Sequence, residues 1–189
     1  MVVLQLVQEF KDLDISILKA IFENRNPAFD ILLRAVTNSA AAIAFGIPGI
    51  LLLHALIKKN QVNQLRALQL LIPVALSAIV ANILKYAIDL PRPYELYPFI
   101  HKLSVGGSPT FPSGHTADAF AFATAISLMY RKWFIVIMML AWASFVGYTR
   151  MALGVHFPSD VLAGAMVGAL CSYAVFRYMQ RKYSHPPEV

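Results

Sequence analysis

The chain has 189 residues, is 58% hydrophobic and only 14% charged, and has a mean hydropathy of +0.61. A soluble domain carries charge on about a quarter of its residues and, at this size, still shows much of its surface to water. The composition therefore excludes a soluble globular domain, a disordered chain, a coiled coil and a disulfide scaffold, and leaves an integral membrane protein. Cys171 is the single cysteine, so no intramolecular disulfide can form. The net charge of +6 and the pI near 9.6 fit a cytoplasmic excess of Lys and Arg, and with this hydropathy they do not call for a nucleic-acid partner.

The N-terminal segment, residues 1–36, mixes Leu13, Ile15, Ile17, Leu18, Ile21 and Phe22 with Asp14, Lys19 and Glu23, until Asn24-Arg25-Asn26-Pro27 breaks the pattern. That charge density predicts an amphipathic helix in the membrane interface, with a poor sixth span as the alternative. No basic head and small-residue cleavage site open the chain, so no signal peptide is expected.

Charge-free runs then follow between Arg34 and Lys58, Arg66 and Lys85, Lys132 and Arg150, and Asp160 and Arg177. Each is long enough to cross a hydrocarbon core of ~30 Å as a helix. A shorter run from His115 to Tyr130 contains Asp118, which must face protein, and is read as a fifth span because the next run needs a return path. The fold expected is an all-α polytopic bundle of five transmembrane helices, or six, with a helical core over 37–178 and a cytoplasmic tail over 179–189. Alternating loops put Lys58, Lys59, Arg66, Arg131, Lys132, Arg177, Arg181 and Lys182 on one side, the cytoplasm by the positive-inside rule. The opposite side receives the loops from Lys85 to His115 and from Arg150 to Asp160.

Three clusters on that second side carry chemistry. Lys85 and Arg92-Pro93 end a helix; taken alone they read equally as a snorkelling lysine and a headgroup anchor. Pro112-Ser113-Gly114-His115 opens the next helix, where Ser113 suits the N-cap, Gly114 admits close approach, and free N–H groups offer an anion site. His115 beside it can donate a proton near neutral pH. In Thr149-Arg150 through His156-Phe-Pro-Ser-Asp160, Pro158 suits a helix start and brings Asp160 within reach of His156. A carboxylate on one ring nitrogen makes the other a nucleophile; a structural histidine bonded to Asp160 is the plain alternative. Three cations with a helix N-terminus describe a phosphoryl pocket. Zinc held by two histidines and an aspartate is disfavoured by those cations, so neither metal nor cofactor is expected.

In order and spacing, Lys85-x6-Arg92-Pro93, Pro112 to His115, and Arg150-x5-His156-x3-Asp160 resemble the type 2 phosphatidic acid phosphatase family, which shares its site with vanadium haloperoxidases. The resemblance runs from about Ala40 to Arg177 and departs at Thr149, where the family's third motif usually has Ser. It implies a metal-independent lipid phosphatase of the plasma membrane with its site on the periplasmic or extracellular face. It also implies that His156 attacks phosphorus to give a phosphohistidine, that Asp160 orients it, and that His115 protonates the leaving oxygen and then activates water. Lys85, Arg92, Ser113, Gly114 and Arg150 would hold the phosphoryl oxygens. The implied substrates are undecaprenyl diphosphate, phosphatidylglycerol phosphate, phosphatidic acid or lipid A phosphates, met in the bilayer. A lipid phosphotransferase with the same intermediate is the alternative, and a lipid-phosphate binder or transporter leaves His156 and Asp160 without a task. At the margin, Asp118, one turn after His115, is expected to satisfy a hydroxyl in the bundle, with tuning of that histidine as the alternative. Tyr94, Tyr97, His101 and Lys102 are expected in a wet loop, and Gly164 and Gly168 in a helix contact.

Overall fold

The structure, a computed structural model, describes residues 2–184, so positions 185–189 of the expected tail lie outside the described residues. Helix α1 (Val2–Glu23) is amphipathic as expected. Leu18 and Phe22 are buried, while Leu6, Val7, Phe10, Leu13 and Ile17 are exposed. A short 3-10 turn, Pro27–Phe29, follows, capped by the Asn26 side chain on the Ala28 N–H at 3.0 Å. Helix α2 (Asp30–Ile57) begins ahead of Arg34. The others are α3 (Gln61–Ile88), the short α4 (Pro93–Leu96), α5 (Gly114–Tyr130), α6 (Trp133–Ala152) and α7 (Pro158–Ser184).

Among the described residues four helices, α2, α3, α6 and α7, are long and apolar enough to cross a membrane. The run read as a fifth span forms α5, of a different kind. Its 17 residues reach roughly 26 Å, and it threads between the other four instead of facing lipid. Ala117, Ala119, Ala121 and Ala123 are wholly buried, so other helices approach it from several sides. Such a helix need not match the hydrocarbon thickness, and its apolar residues show no single stripe because no single face is the inside. The tightest seam is with α7. A Cβ on Gly164 would lie 2.5 Å from the Ser113 carbonyl oxygen, and one on Gly168 would collide with the Ala117 carbonyl. The Ser172 hydroxyl donates to the Ala121 carbonyl at 2.6 Å in the same seam. Gly164 and Gly168 therefore serve helix packing, as their spacing indicated.

The up-and-down order brings the start of α2, the end of α3, the start of α5, the end of α6 and the start of α7 to one end of the bundle. The connection over 97–113 covers that end as a packed cap, which corrects the wet loop expected for it. Ile100 is 2% exposed and packs with Leu18 and Phe22 of α1, joined by half-buried Tyr94 and Tyr97. Only His101 and Lys102 keep the exposure expected of them. The apolar face of α1 supplies the partners that bury this loop, and that face could not be matched to the loop from sequence.

Candidate active site

Each chemical group sits where a helix starts or stops. Lys85 is in the last turn of α3, and its ammonium donates to the carbonyls of Pro109 at 2.8 Å and Thr110 at 3.4 Å. Arg92 precedes α4, whose Glu95 carboxylate caps the Arg92 N–H at 2.9 Å. Its guanidinium reaches the Ser108 carbonyl from Nε at 2.8 Å and the Val155 carbonyl from one terminal nitrogen at 2.9 Å. Arg150, in the last turn of α6, is 1% exposed. It donates to the hydroxyls of Thr37 at 2.9 Å and Ser104 at 3.3 Å and to the Val105 carbonyl at 3.1 Å, while its Nε has no partner among the described residues. Thr149 turns its hydroxyl back onto the Val146 carbonyl at 2.6 Å, a local bond that Ser could equally make.

The turn between α6 and α7 places His156. Gly154 sits at φ +72, in the left-handed region, where a Cβ would press on the His101 carbonyl at 2.6 Å. His156 then precedes the first turn of α7, with Pro158 as the first helical residue. Asp160, in that turn, reaches back to the Phe157 N–H at 2.8 Å. The same oxygen lies 3.3 Å from His156 Nδ1, so the expected pairing is present. His156 Nε2, the other ring nitrogen, lies 3.4 Å from an Arg92 terminal nitrogen. Burial, and then the charges of Arg150, Arg92, Lys85 and His115, holds the His156 imidazole well below the usual histidine range. Near pH 7 this ring is neutral, the form with a free lone pair.

Ser113 occupies the N-cap of α5 with extended φ and ψ, yet its side chain does not cap. The hydroxyl pairs with that of Thr116 at 2.8 Å instead, which corrects the capping role expected of it. The Ser113 N–H donates to the Asp160 carbonyl at 3.0 Å, tying the starts of α5 and α7 together. No side chain caps the first N–H groups of α5, which stay available to an anion. The space beside Gly114 is bounded by the Lys85 stem, 3.8 Å from where a Cβ would stand. His115 is half-buried beside it. The structure thus gathers all eight sequence-named residues at one end of the bundle. No group of three His, Cys, Asp or Glu side chains among the described residues is disposed to hold a metal ion.

A family model described as the PAP2 superfamily matches residues 66–184. The chain belongs to the PAP2 superfamily. It is 36% identical over 101 residues to a lipid A 1-phosphatase of Rhizobium johnstonii, covering 51% of this chain and 41% of that one. It is 29% identical over 109 residues to undecaprenyl-diphosphatase BcrC of Bacillus subtilis, covering 54% of each. The PAP2 chain thus spans about half or less of the length of these curated relatives. Among solved structures, Aquifex aeolicus LpxE superposes with a TM-score of 0.75 at 28% identity, over 88% of this chain and 96% of that one. A phosphatidylglycerolphosphate phosphatase from Bacillus subtilis shares the fold with a TM-score of 0.74 at 23% identity, over 92% and 87%.

Several residues of this PAP2 site carry no signature in the sequence. Thr110 donates its hydroxyl to Asp160 Oδ2, Thr37 and Ser104 steady Arg150, and Gly106 makes room for Arg92, whose terminal nitrogen lies 2.7 Å from where a Cβ would stand. Asp14 of α1 accepts from the Ser159 N–H at 2.9 Å and hydroxyl at 2.6 Å, so α1 caps α7 from outside. Burial raises the Asp14 carboxyl above its ordinary range; both Ser159 bonds oppose this, and Asp160 adds to it. The one available signal was an acid amid the apolar residues of an amphipathic helix. Asp118 departs from expectation: its Oδ1 is buried without a partner among the described residues. No hydroxyl among the described residues reaches that oxygen.

Proposed function

We propose that this PAP2 chain hydrolyses phosphate mono- or diphosphate esters of membrane lipids through a phosphohistidine on His156, without a metal ion. The observation that carries the reading is three buried cations, Lys85, Arg92 and Arg150, none in a salt bridge with an acid among the described residues, gathered about a neutral histidine. Buried charge without a counter-ion is costly, and a phosphoryl group supplies the missing anion. The unpartnered Nε of Arg150 and the uncapped N–H groups of α5 offer further donors to it.

In the first step His156 Nε2 forms a bond to phosphorus as the phosphorus–oxygen bond to the lipid breaks, and His115, protonated when the negative charge of the bound phosphate offsets the cations around it, gives its proton to the departing oxygen. In the second step His115 takes a proton from water, the oxygen joins phosphorus, and the bond to Nε2 breaks to release phosphate. Asp160 steadies the positive charge that the His156 ring acquires in between. The lipid A 1-phosphatase and undecaprenyl-diphosphatase among the relatives support lipid A phosphates and undecaprenyl diphosphate as the first substrates to test. The Lys and Arg residues from Lys58 to Arg66, at Arg131 and Lys132, and from Arg177 to Lys182 lie at the bundle end away from the site. That asymmetry supports a plasma-membrane protein with its site on the periplasmic or extracellular face.

The test is phosphate release by the purified full chain in detergent from these lipids, phosphatidic acid and phosphatidylglycerol phosphate, with and without a chelator. Expected are chelator-insensitive release and an acid-labile phosphoenzyme absent from His156→Asn. No release from any of them, loss of activity on chelation, or labelling of the Asn variant refutes the reading. Label recovered in a lipid product instead of in solution identifies a phosphotransferase.

A further inference from the structure

Thr110 lies outside every motif, yet it touches Lys85, Asp160 and His156 together. It is 1% exposed. Its N–H donates to the Leu90 carbonyl at 2.9 Å, and its own carbonyl accepts from the Lys85 ammonium at 3.4 Å. Its hydroxyl donates to Asp160 Oδ2 and stands 3.2 Å from His156 Nδ1.

The direction of that last contact follows from proton count. A hydroxyl has one proton and two lone pairs, and here Asp160, acceptor-only when ionised, takes the proton. The contact to the ring must therefore run from Nδ1–H to the threonine oxygen. Asp160 Oδ2, 3.3 Å from Nδ1, shares the same ring proton. A neutral imidazole carries one N–H, so a proton held at Nδ1 leaves Nε2 bare. Nε2 is the nitrogen facing Arg92.

We propose that Thr110 is a positioning residue, whose hydroxyl bridges Asp160 and His156 Nδ1 and so fixes the ring tautomer that leaves Nε2 free to attack phosphorus. This rests on the reading of His156 as the nucleophile. Asp160 alone is a poorer guide for the ring, because its Oδ2 also accepts from the Phe157 N–H at 2.8 Å and from Thr110 itself. The threonine oxygen adds an acceptor that the helix cap does not compete for. As Nε2 bonds to phosphorus the ring becomes cationic and Nδ1–H a stronger donor, so both acceptors are held best in the transition state. Through its carbonyl, Thr110 also couples the position of Lys85 to that of the nucleophile.

Thr110→Val removes the hydroxyl while keeping the shape, and Thr110→Ser keeps the hydroxyl. Both are compared with the parent chain in detergent, reading kcat and KM on a lipid phosphate. The nitrogen-15 signals of His156, assigned by their loss in His156→Asn, report the tautomer. Expected for Thr110→Val are a fall in kcat of about 10- to 100-fold, KM within about threefold, and a shift of the His156 signals away from the pure Nδ1–H form. Thr110→Ser should recover both within about threefold of the parent. An unchanged tautomer in Thr110→Val, or equal loss in the Val and Ser variants, overturns the proposal. Full turnover by His156→Asn refutes only the nucleophile reading, since a signal shift confined to Thr110→Val still supports the hold of Thr110 on the ring.

Discussion

Gly164 offers a direct test of whether helix packing sets the geometry of the site. A Cβ there would stand 2.5 Å from the Ser113 carbonyl oxygen, 3.2 Å from Thr116 Cβ and 3.3 Å from the Ala117 nitrogen. Ordinary contact begins near 3.4 Å, so Gly164→Ala leaves about 0.9 Å to be made up. Two of the three neighbours are backbone atoms, and the Ser113 carbonyl is pinned by the Ala117 N–H at 3.0 Å. A side chain cannot simply rotate away, and the start of α7 must shift against α5. That seam also carries the bond from the Ser113 N–H to the Asp160 carbonyl, so Asp160 and His156 move relative to Gly114 and His115. Overpacking of this kind costs about 1–3 kcal/mol, and a misplacement near 1 Å costs roughly 100-fold in rate. The assay is kcat on a lipid phosphate together with the thermal unfolding midpoint in one detergent, with Gly46→Ala as the control, since nothing lies within 4 Å of a Cβ there. Gly168→Ala, whose Cβ meets the Ala117 carbonyl deeper in the seam, should lower the midpoint as much while lowering kcat less. Gly164→Ala with parental kcat and midpoint would falsify the reasoning, because the backbone contact would then have relaxed at no cost to the site.

Arg150→Lys should lower kcat/KM by at least about 100-fold, because one compact ammonium cannot stand in both places of the two guanidinium nitrogens that reach Thr37 and Ser104 on one side and Val105 on the other, and bonds to a charged donor contribute about 1.5–3 kcal/mol each. Near-parental kinetics would show that charge alone is needed. Gly106→Ala pushes a Cβ to 2.7 Å from an Arg92 terminal nitrogen and should cost about tenfold in kcat/KM; Gly107→Ala, with open space around it, should cost nothing, and equal effects refute the argument. For pH, the His156 pKa is lowered in the folded state, so the unfolded chain binds this proton first as pH falls through about 6.5. Stability is lost below that pH by up to about 1.4 kcal/mol per unit. The unfolding midpoint should drop more between pH 7.5 and 5.5 in the parent chain than in His156→Asn, and parallel curves contradict the shift. Vanadate, a phosphate mimic, should inhibit and should stabilise by about 2.7 kcal/mol at 100 times its dissociation constant; a midpoint indifferent to vanadate would mean that the cations do not form an anion pocket.

The sequence revealed what is made of unusual residues at fixed intervals. Lys85, Arg92, His115, Arg150, His156 and Asp160 are costly in an apolar chain, so each required a reason, and the phosphoryl pocket we propose supplies one for all of them. Residues of common type with distant partners stayed hidden. Thr37 meets Arg150 across 113 positions and Asp14 meets Ser159 across 145, and no local pattern connects them. Thr110 was hidden more thinly, three residues before Ser113, but a threonine beside Phe111-Pro112 reads as loop. Ser113 misled in the opposite way, because its type and position indicate a cap, while the hydroxyl of Thr116, one turn on, takes its bond. Helix α5 was legible as a helix and not as the axis of the bundle, since surrounded small residues leave no periodic stripe.

The loop from Asp89 to Ser113 carries the largest part of the site's precision. It holds, among the described residues, the only acceptors for the Lys85 ammonium, at Pro109 and Thr110, and it contributes Ser104, Val105 and Ser108 to the two arginines. All of these acceptors are neutral oxygens. A carboxylate in their place would bind each cation more tightly and would neutralise the charge that the proposed phosphoryl site requires. Carbonyls and hydroxyls orient the cations while leaving that charge available. This requires the loop to be rigid, and Ile100, Tyr94 and Tyr97 make it so by packing against Leu18 and Phe22 of α1. The amphipathic helix at the start of the chain is thereby a structural wall of the site, joined to it a second time where Asp14 caps the turn that bears Asp160.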